Sequence, residues 1–174
     1  MKSFLPLFKT AAPASNLRNL LKTLGQTAIF WLVFLYLLPQ GILILSALLG
    51  LPKFSPMPFL GWSVFIAFSM LGLYSGYTMS WLGKGTPLPL DCPNKLVIQG
   101  PYRWVRNPMA VAGIGQGICV GLILGSYLVV LYALAGGVLW HYFVRPVEEE
   151  DLAKRFGAAY RTYQQKTKCW LPKI

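Results

Sequence analysis

Residues 107–140, NPMAVAGIGQGICVGLILGSYLVVLYALAGGVLW, run for 34 positions without a Lys, Arg, Asp or Glu. A helix crosses a bilayer in about 20 apolar residues, so this run is too long for one ordinary span. Gly125-Ser126 near its middle reads as a tight turn between two short helices, 108–124 and 127–144. Their brevity predicts some mismatch with the bilayer, with one or both falling short of a full crossing. Gly113, Gly117, Gly121 and Gly125 recur at every fourth position. Such a bare ridge lets a second backbone approach closely in lipid, where packing drives helix association.

Outward from this stretch the chain repeats the pattern. Two further uncharged runs precede it, 25–49, broken by Pro39, and 56–82. The whole chain of 174 residues is 55% hydrophobic and 12% charged, about half the charge of an ordinary soluble domain. The reading is an all-α integral membrane protein with about four transmembrane helices, the last two a short hairpin. A cytoplasmic loop and a C-terminal helix complete it. The divisions are a tail at 1–24, the first two spans at 25–82, and a region at 83–174 that carries the chemistry. The N-terminus, Met1-Lys2-Ser3-Phe4-Leu5-Pro6, does not resemble a signal peptide, since the first long apolar run starts only near Gly25 and lacks a clear small-residue cleavage site.

The net charge of +11 would suggest nucleic acid in a soluble protein. Here the cations lie between the apolar runs, where membrane flanks explain them and no nucleic-acid partner is expected. Four lie in the tail (Lys2, Lys9, Arg18, Lys22), four in the second loop (Lys84, Lys95, Arg103, Arg106) and seven after the last span. Only Lys53 is left for the other side. Four spans thus put 15 of 16 Lys and Arg on one face, with all the acids, and the positive-inside rule makes that face cytoplasmic, with both termini. Cys92, Cys119 and Cys169 share no metal-ligand spacing and read as structural thiols, so no metal is expected.

Two cytoplasmic segments carry unusual residues. The first runs from Gly85-Thr86-Pro87-Leu88-Pro89-Leu90-Asp91 through Asn94-Lys95-Leu96-Val97 to Gly100-Pro101-Tyr102-Arg103-Trp104-Val105-Arg106-Asn107-Pro108-Met109. Its prolines and glycines predict a structured loop that ends where Pro108 starts a helix. An interfacial anchor of Tyr, Trp and Arg would account for its composition equally. The second is Arg145-Pro146-Val147-Glu148-Glu149-Glu150-Asp151-Leu152. Pro146 suits a first helical turn and the acids suit the helix dipole. Arg145 and Glu149 share a helical face and could form a plain ion pair.

Together these segments resemble the C-terminal half of the isoprenylcysteine carboxyl methyltransferase superfamily, which includes phospholipid N-methyltransferases. The resemblance rests on Leu96-Val97, Gly100-Pro101-Tyr102, Arg106-Asn107-Pro108, Glu148-Glu149-Glu150-Asp151-Leu152, Phe156-Gly157-Ala158-Ala159-Tyr160 and Pro172, in order across about 83–174. It implies a membrane methyltransferase that uses S-adenosylmethionine and a lipophilic or lipid-modified acceptor. By position it implies cofactor contacts at Asn94, Lys95, Leu96, Val97, Tyr102, Asn107, Pro108, Met109, Ala110 and Glu149. Arg145 falls at the acceptor, so Arg145 and Glu149 are the catalytic pair it implies. Asn107 replaces the histidine of the eukaryotic enzymes and cannot titrate, which excludes histidine-dependent proton transfer there. Ala110 stands where those enzymes carry an aromatic ring.

The chemistry is compatible with this composition. Carboxylates and aromatic faces stabilise a sulfonium cation, and methyl transfer depends mainly on alignment, which needs few acid-base residues. Gly113-Ile114-Gly115 follows no strand and does not read as a Rossmann site. His141, the single histidine, reads as an interfacial or bundle residue. Two alternatives remain at this level: an NADPH-dependent membrane reductase of related fold, and a non-catalytic membrane partner protein.

Overall fold

The computed structural model describes residues 9–87 and 91–172. Met1-Lys2-Ser3-Phe4-Leu5-Pro6 and Leu88-Pro89-Leu90, named in the reading above, and Lys173, one of the seven cations after the last span, lie outside the described residues. The chain is all-helical, and the described residues form no strand beyond an isolated bridge between Thr10 and Cys92.

Helix α1 (Asn16–Phe30) starts at Ser15, whose hydroxyl accepts from the Arg18 backbone N–H at 3.2 Å, an N-cap that satisfies one orphan donor. The helix therefore begins nine positions before the apolar run that marked it. Leu17, Leu20, Leu21 and Leu24 recur at helical spacing among the polar residues, and this amphipathic stretch extends the helix beyond the uncharged segment. Nor does Pro39 break it. A π-helical segment, Trp31–Leu37, leads into α2 (Leu38–Leu48), giving 33 continuous residues. The Leu38 N–H reaches back five residues to Val33 O. This wider turn accommodates a proline that lacks an N–H and would crowd the carbonyl four residues before it.

Helix α3 (Pro58–Gly83) ends at Lys84, which takes the left-handed conformation with φ 59°. The hairpin follows the sequence reading: α4 (Pro108–Leu124) is capped by Gly125 at φ 64°, and Ser126 caps α5 (Tyr127–Leu139). A second π-helical segment, Trp140–Val144, joins α5 to α6 (Arg145–Lys166), and the Arg145 N–H again reaches back five residues, to Trp140 O. Pro146 therefore follows a continuous helix and does not open a new one. The device used at Pro39 is repeated.

Helix α4 packs between α3 and α5. The glycine ridge divides between environments. A Cβ on Gly117 would lie 2.9 Å from Ala133 Cβ, and one on Gly121 2.5 Å from Val130 Cγ2, so these two let α5 approach. Gly115, off the ridge, admits Phe68 of α3, whereas Gly113 meets open space. At the hairpin tip the Phe54 N–H donates to Gly125 O at 3.0 Å and the Met57 N–H to Leu122 O at 2.9 Å. The α2–α3 loop thus shares one end of the bundle with the hairpin turn. The described residues of the loop, 84–87 and 91–107, and α6 occupy the other.

Three helical stretches are long and apolar enough to cross a membrane: Asn16–Leu48, Pro58–Gly83 and Tyr127–Lys166. The last is apolar only as far as Val144. Helix α4 has 17 residues and so measures about 25 Å, less than a hydrocarbon core of about 30 Å.

Candidate functional site

The loop after α3 is held by close backbone approach. A Cβ on Gly85 would fall 2.6 Å from Pro93 Cα, and one on Gly83 2.7 Å from Pro93 Cβ, so the loop folds tightly only with glycine at both positions. The Lys95 N–H donates to Gly83 O at 3.1 Å. Residues ahead of α1 brace the same loop: Ala11 N–H to Cys92 O at 2.9 Å and Cys92 N–H to Lys9 O at 2.8 Å. Asn94 donates to Ala11 O at 3.0 Å and Lys84 O at 3.2 Å, so its amide nitrogen is engaged in tying these segments together. Lys22 and Asp91 add an ion pair at 3.0 Å.

Helix α6 folds back over this loop because it bends at Gly157, whose φ of 53° and ψ of −127° are non-helical and costly for any residue with a Cβ. Beyond the bend Tyr160 is buried, and the Tyr163 hydroxyl donates to Tyr102 O at 2.6 Å. Arg106 is the central tie. It donates to Thr167 O at 2.6 Å, to Gln164 O at 3.0 Å and to Glu149 Oε1 at 2.7 Å. Glu149 also accepts from Gln164 Nε2 at 3.0 Å. Its helical neighbour Arg145 stands at 3.9 Å and donates through Nε to His141 O. After α6, the Arg106 N–H reaches Lys168 O at 2.9 Å, Asn107 donates to Cys169 Sγ at 3.5 Å, and Trp170 donates to His141 Nδ1 at 2.8 Å.

These elements enclose a cavity of about 650 Å³, within the roughly 300–1,000 Å³ usual for small-molecule sites. Lys95, Leu96, Val97, Tyr102, Asn107, Met109, Ala110 and Glu149 line it, whereas Asn94, Pro108 and Arg145 do not. Its polar part carries Arg106, Glu148, Asp151 and Arg155. Its apolar part runs into the bundle between Phe30 and Phe34 on one side and Gly136 and Trp140 on the other. Gly113 contributes the open space seen along α4. Tyr132 closes across this part by donating to Phe34 O at 3.2 Å.

Most charges on the wall are matched. Arg106 pairs with Glu149, and Arg155 pairs with Asp151 at 2.6 Å and donates to Pro93 O at 2.8 Å. Glu150, off the cavity, pairs with Lys154 at 2.6 Å. Glu148 has no hydrogen bond or ion pair within the described residues. Burial, with smaller contributions from Glu149 and Asp151, pushes its carboxyl up to about 7. Gln26 donates to Thr86 Oγ1 at 3.3 Å, while its Oε1 is buried on the cavity wall without a donor. Burial pushes the Cys92 thiol up to about 11, so it is a neutral side chain and no thiolate nucleophile.

The sequence reading named Arg106 and Glu148 within motifs but gave neither a place in the site. The adjacency of Arg106 to Asn107 was the available signal for the first. Nothing local separates Glu148 from its acidic neighbours, and Gln26 carries no signal at all.

A family model described as phospholipid methyltransferase matches residues 57–159. No curated protein matches the chain. The matched region begins just before α3 and contains the loop, the hairpin and the acidic turn of α6, the elements that build the cavity. With more than half of its length matched, the chain belongs to the phospholipid methyltransferase family, within the isoprenylcysteine carboxyl methyltransferase-like superfamily, and this membership implies methyl transfer to a lipid or membrane-borne substrate.

Proposed function

We propose that the protein transfers a methyl group from S-adenosylmethionine to a lipophilic acceptor at the cytoplasmic face of a membrane. The observation that carries this is the two-part cavity, polar where the loop, the start of α4 and α6 meet, and apolar where it enters the bundle. A polar, cationic cofactor fits the first part, and a lipid chain fits the second. The unmatched acceptors on the wall, Glu148 and Gln26 Oε1, suit a ligand that brings positive charge and hydrogen-bond donors.

Lys95, Leu96, Val97 and Tyr102 from the loop, and Asn107, Met109 and Ala110 from the start of α4, would hold the cofactor. When bound, it supplies a methyl carbon activated by a sulfonium. Glu149 would act with Arg106, which fixes its carboxylate and leaves it less free than an unpaired acid. Arg145 keeps its proposed role at the acceptor from outside the cavity wall, where a guanidinium can meet an anionic group. Enclosure by α6 and the bundle limits water, which strengthens the electrostatic contacts inside.

The test is thermal and calorimetric. Adenosylmethionine or its demethylated product should bind the detergent-solubilised protein and raise its melting temperature by mass action on the folded state. Tyr102→Ala should weaken both effects. Stabilisation by NADPH alone would replace this reading with a reductase, and stabilisation by neither would leave a membrane protein without this chemistry.

A further inference from the structure

The loop run Tyr102-Arg103-Trp104-Val105-Arg106 has the composition of an interfacial anchor, and the cavity uses only part of it. Tyr102 and Val105 are buried and Arg106 is the central tie, whereas Arg103 and Trp104 between them are exposed. Both stand just ahead of Pro108, where α4 begins. The C-terminal tail lies beside them, because the Arg106 N–H donates to Lys168 O at 2.9 Å. Trp170 ties the same tail to the π-helical segment through His141 Nδ1 at 2.8 Å. These ties gather Trp104, Leu171, Tyr142 and Phe143 at one end of the bundle, and all four are 65–71% exposed. At the ends of apolar helices, Trp and Tyr so placed suit headgroup depth.

Charge decides which headgroup such a rim meets. The chain has five acidic side chains. Lys22, Arg106, Lys154 and Arg155 hold four of them, and the fifth, Glu148, faces the cavity. Arg103, Arg161, Lys166 and Lys168 are exposed and have no carboxylate partner among the described residues. A zwitterionic headgroup brings its own cation and offers these side chains little net attraction. A headgroup of net negative charge offers a phosphodiester that nothing else neutralises. A soluble acidic partner would satisfy the cations but would leave the exposed rings and Leu171 without an apolar neighbour.

We propose that this rim binds anionic phospholipid, with Arg103 and Lys168 on the phosphodiester and Trp104 and Leu171 in the layer beneath it. The inference goes beyond the methyl-transfer reading and does not depend on it. The bound lipid is not the acceptor, because Arg103, Trp104, Lys168 and Leu171 lie off the cavity wall. It does reach the cavity through the chain. Arg103 and Trp104 sit between Tyr102, which lines the cavity, and Arg106, which ties the loop to α6. Holding the two exposed residues at the membrane therefore holds the segment that positions both of the others.

The experiment uses the full chain in mixed micelles, with dioleoylphosphatidylglycerol replacing dioleoylphosphatidylcholine at constant total lipid. Melting temperature and amide hydrogen exchange are followed along the titration. Phosphatidylglycerol should raise the melting temperature by binding the folded state and should slow exchange at 98–107 and 167–172. Salt at about 0.5 M should reduce both effects by screening. Arg103→Gln and Lys168→Gln should each raise the half-saturating lipid fraction about 5-fold, one cation's share at an anionic surface. Trp104→Ser should weaken the response to both lipids, and Lys53→Gln, at the opposite end, should leave the titration unchanged. Equal responses to the two lipids overturn the inference, as does an unchanged titration in Arg103→Gln and Lys168→Gln. An equal shift from soluble glycerol 3-phosphate or polyglutamate also overturns it, replacing the membrane with a free anion or an acidic protein. The exchange map of the unaltered protein tests the location without any substitution: protection that spares 98–107 and 167–172 places the lipid elsewhere and overturns the inference too.

Discussion

Arg106 illustrates how far a residue's role exceeds its motif. Its side chain is 10% exposed, and its guanidinium joins the loop to two carbonyls at the end of α6 and to Glu149 near the start of the same helix. The spacing of Arg145 and Glu149 predicts a shared face, and the structure places them at 3.9 Å. The closer partner of Glu149 comes from 43 residues earlier in the chain. Removing one member of a part-buried pair strands the other, at about 3–5 kcal/mol. Arg106→Met should therefore destabilise the protein by about that amount in a denaturation experiment, whereas Arg145→Ala, which gives up only a 3.9 Å contact, should cost less than about 1 kcal/mol. If the two substitutions cost the same, Arg145 holds Glu149 as strongly as Arg106 does.

Among the elements, the two proline-bearing helices share one solution. Pro39 and Pro146 each follow a π-helical segment whose backbone hydrogen bonds span five residues just ahead of the ring. The hairpin offers a graded test of helix approach. Gly121→Ala would place a Cβ 2.5 Å from Val130 Cγ2 and 2.9 Å from Val130 N, a backbone contact that cannot yield without moving α5. Gly117→Leu should destabilise more, because it adds three further carbons beyond a Cβ that already lies 2.9 Å from Ala133 Cβ. Gly113→Ala, with open space around it, should leave the melting temperature unchanged. Losses of about 1–3 kcal/mol are expected at the first two positions, the usual scale of overpacking. An equal effect at Gly113 would mean that the four glycines form one continuous interface after all.

At the scale of the whole molecule, the bundle has two unlike ends. The Phe54 and Met57 amides bind the hairpin tip, so Lys53 and Ser126 share an end. The loop 84–107, α6 and their basic residues gather at the other, where the cavity has its polar part. We propose that this second end is cytoplasmic, with both termini. Reporter fusions at the N and C termini should both report the cytoplasm, and a reporter inserted after Lys53 should report the outside. An external C-terminus would mean that the charged end faces out and that the cofactor site is not on the cytosolic side.

The sequence alone determined the class of protein, the hairpin turn at Gly125-Ser126 and the order of the motifs. These follow from local properties: charge-free length, a glycine that can take positive φ, and spacing along one chain. Helix limits were less legible, because an uncharged run marks what sits in lipid and not where hydrogen bonding starts. Asn16 and Pro39 both show it, since the helix starts earlier than the run and continues through the proline. The site was legible as a set of residues. Their division of labour needed the fold, because a charge becomes paired or unpaired only when distant segments meet. Glu148 and Glu149 are adjacent and chemically identical. Arg106, brought from the far side of the hairpin, neutralises one and leaves the other facing the cavity.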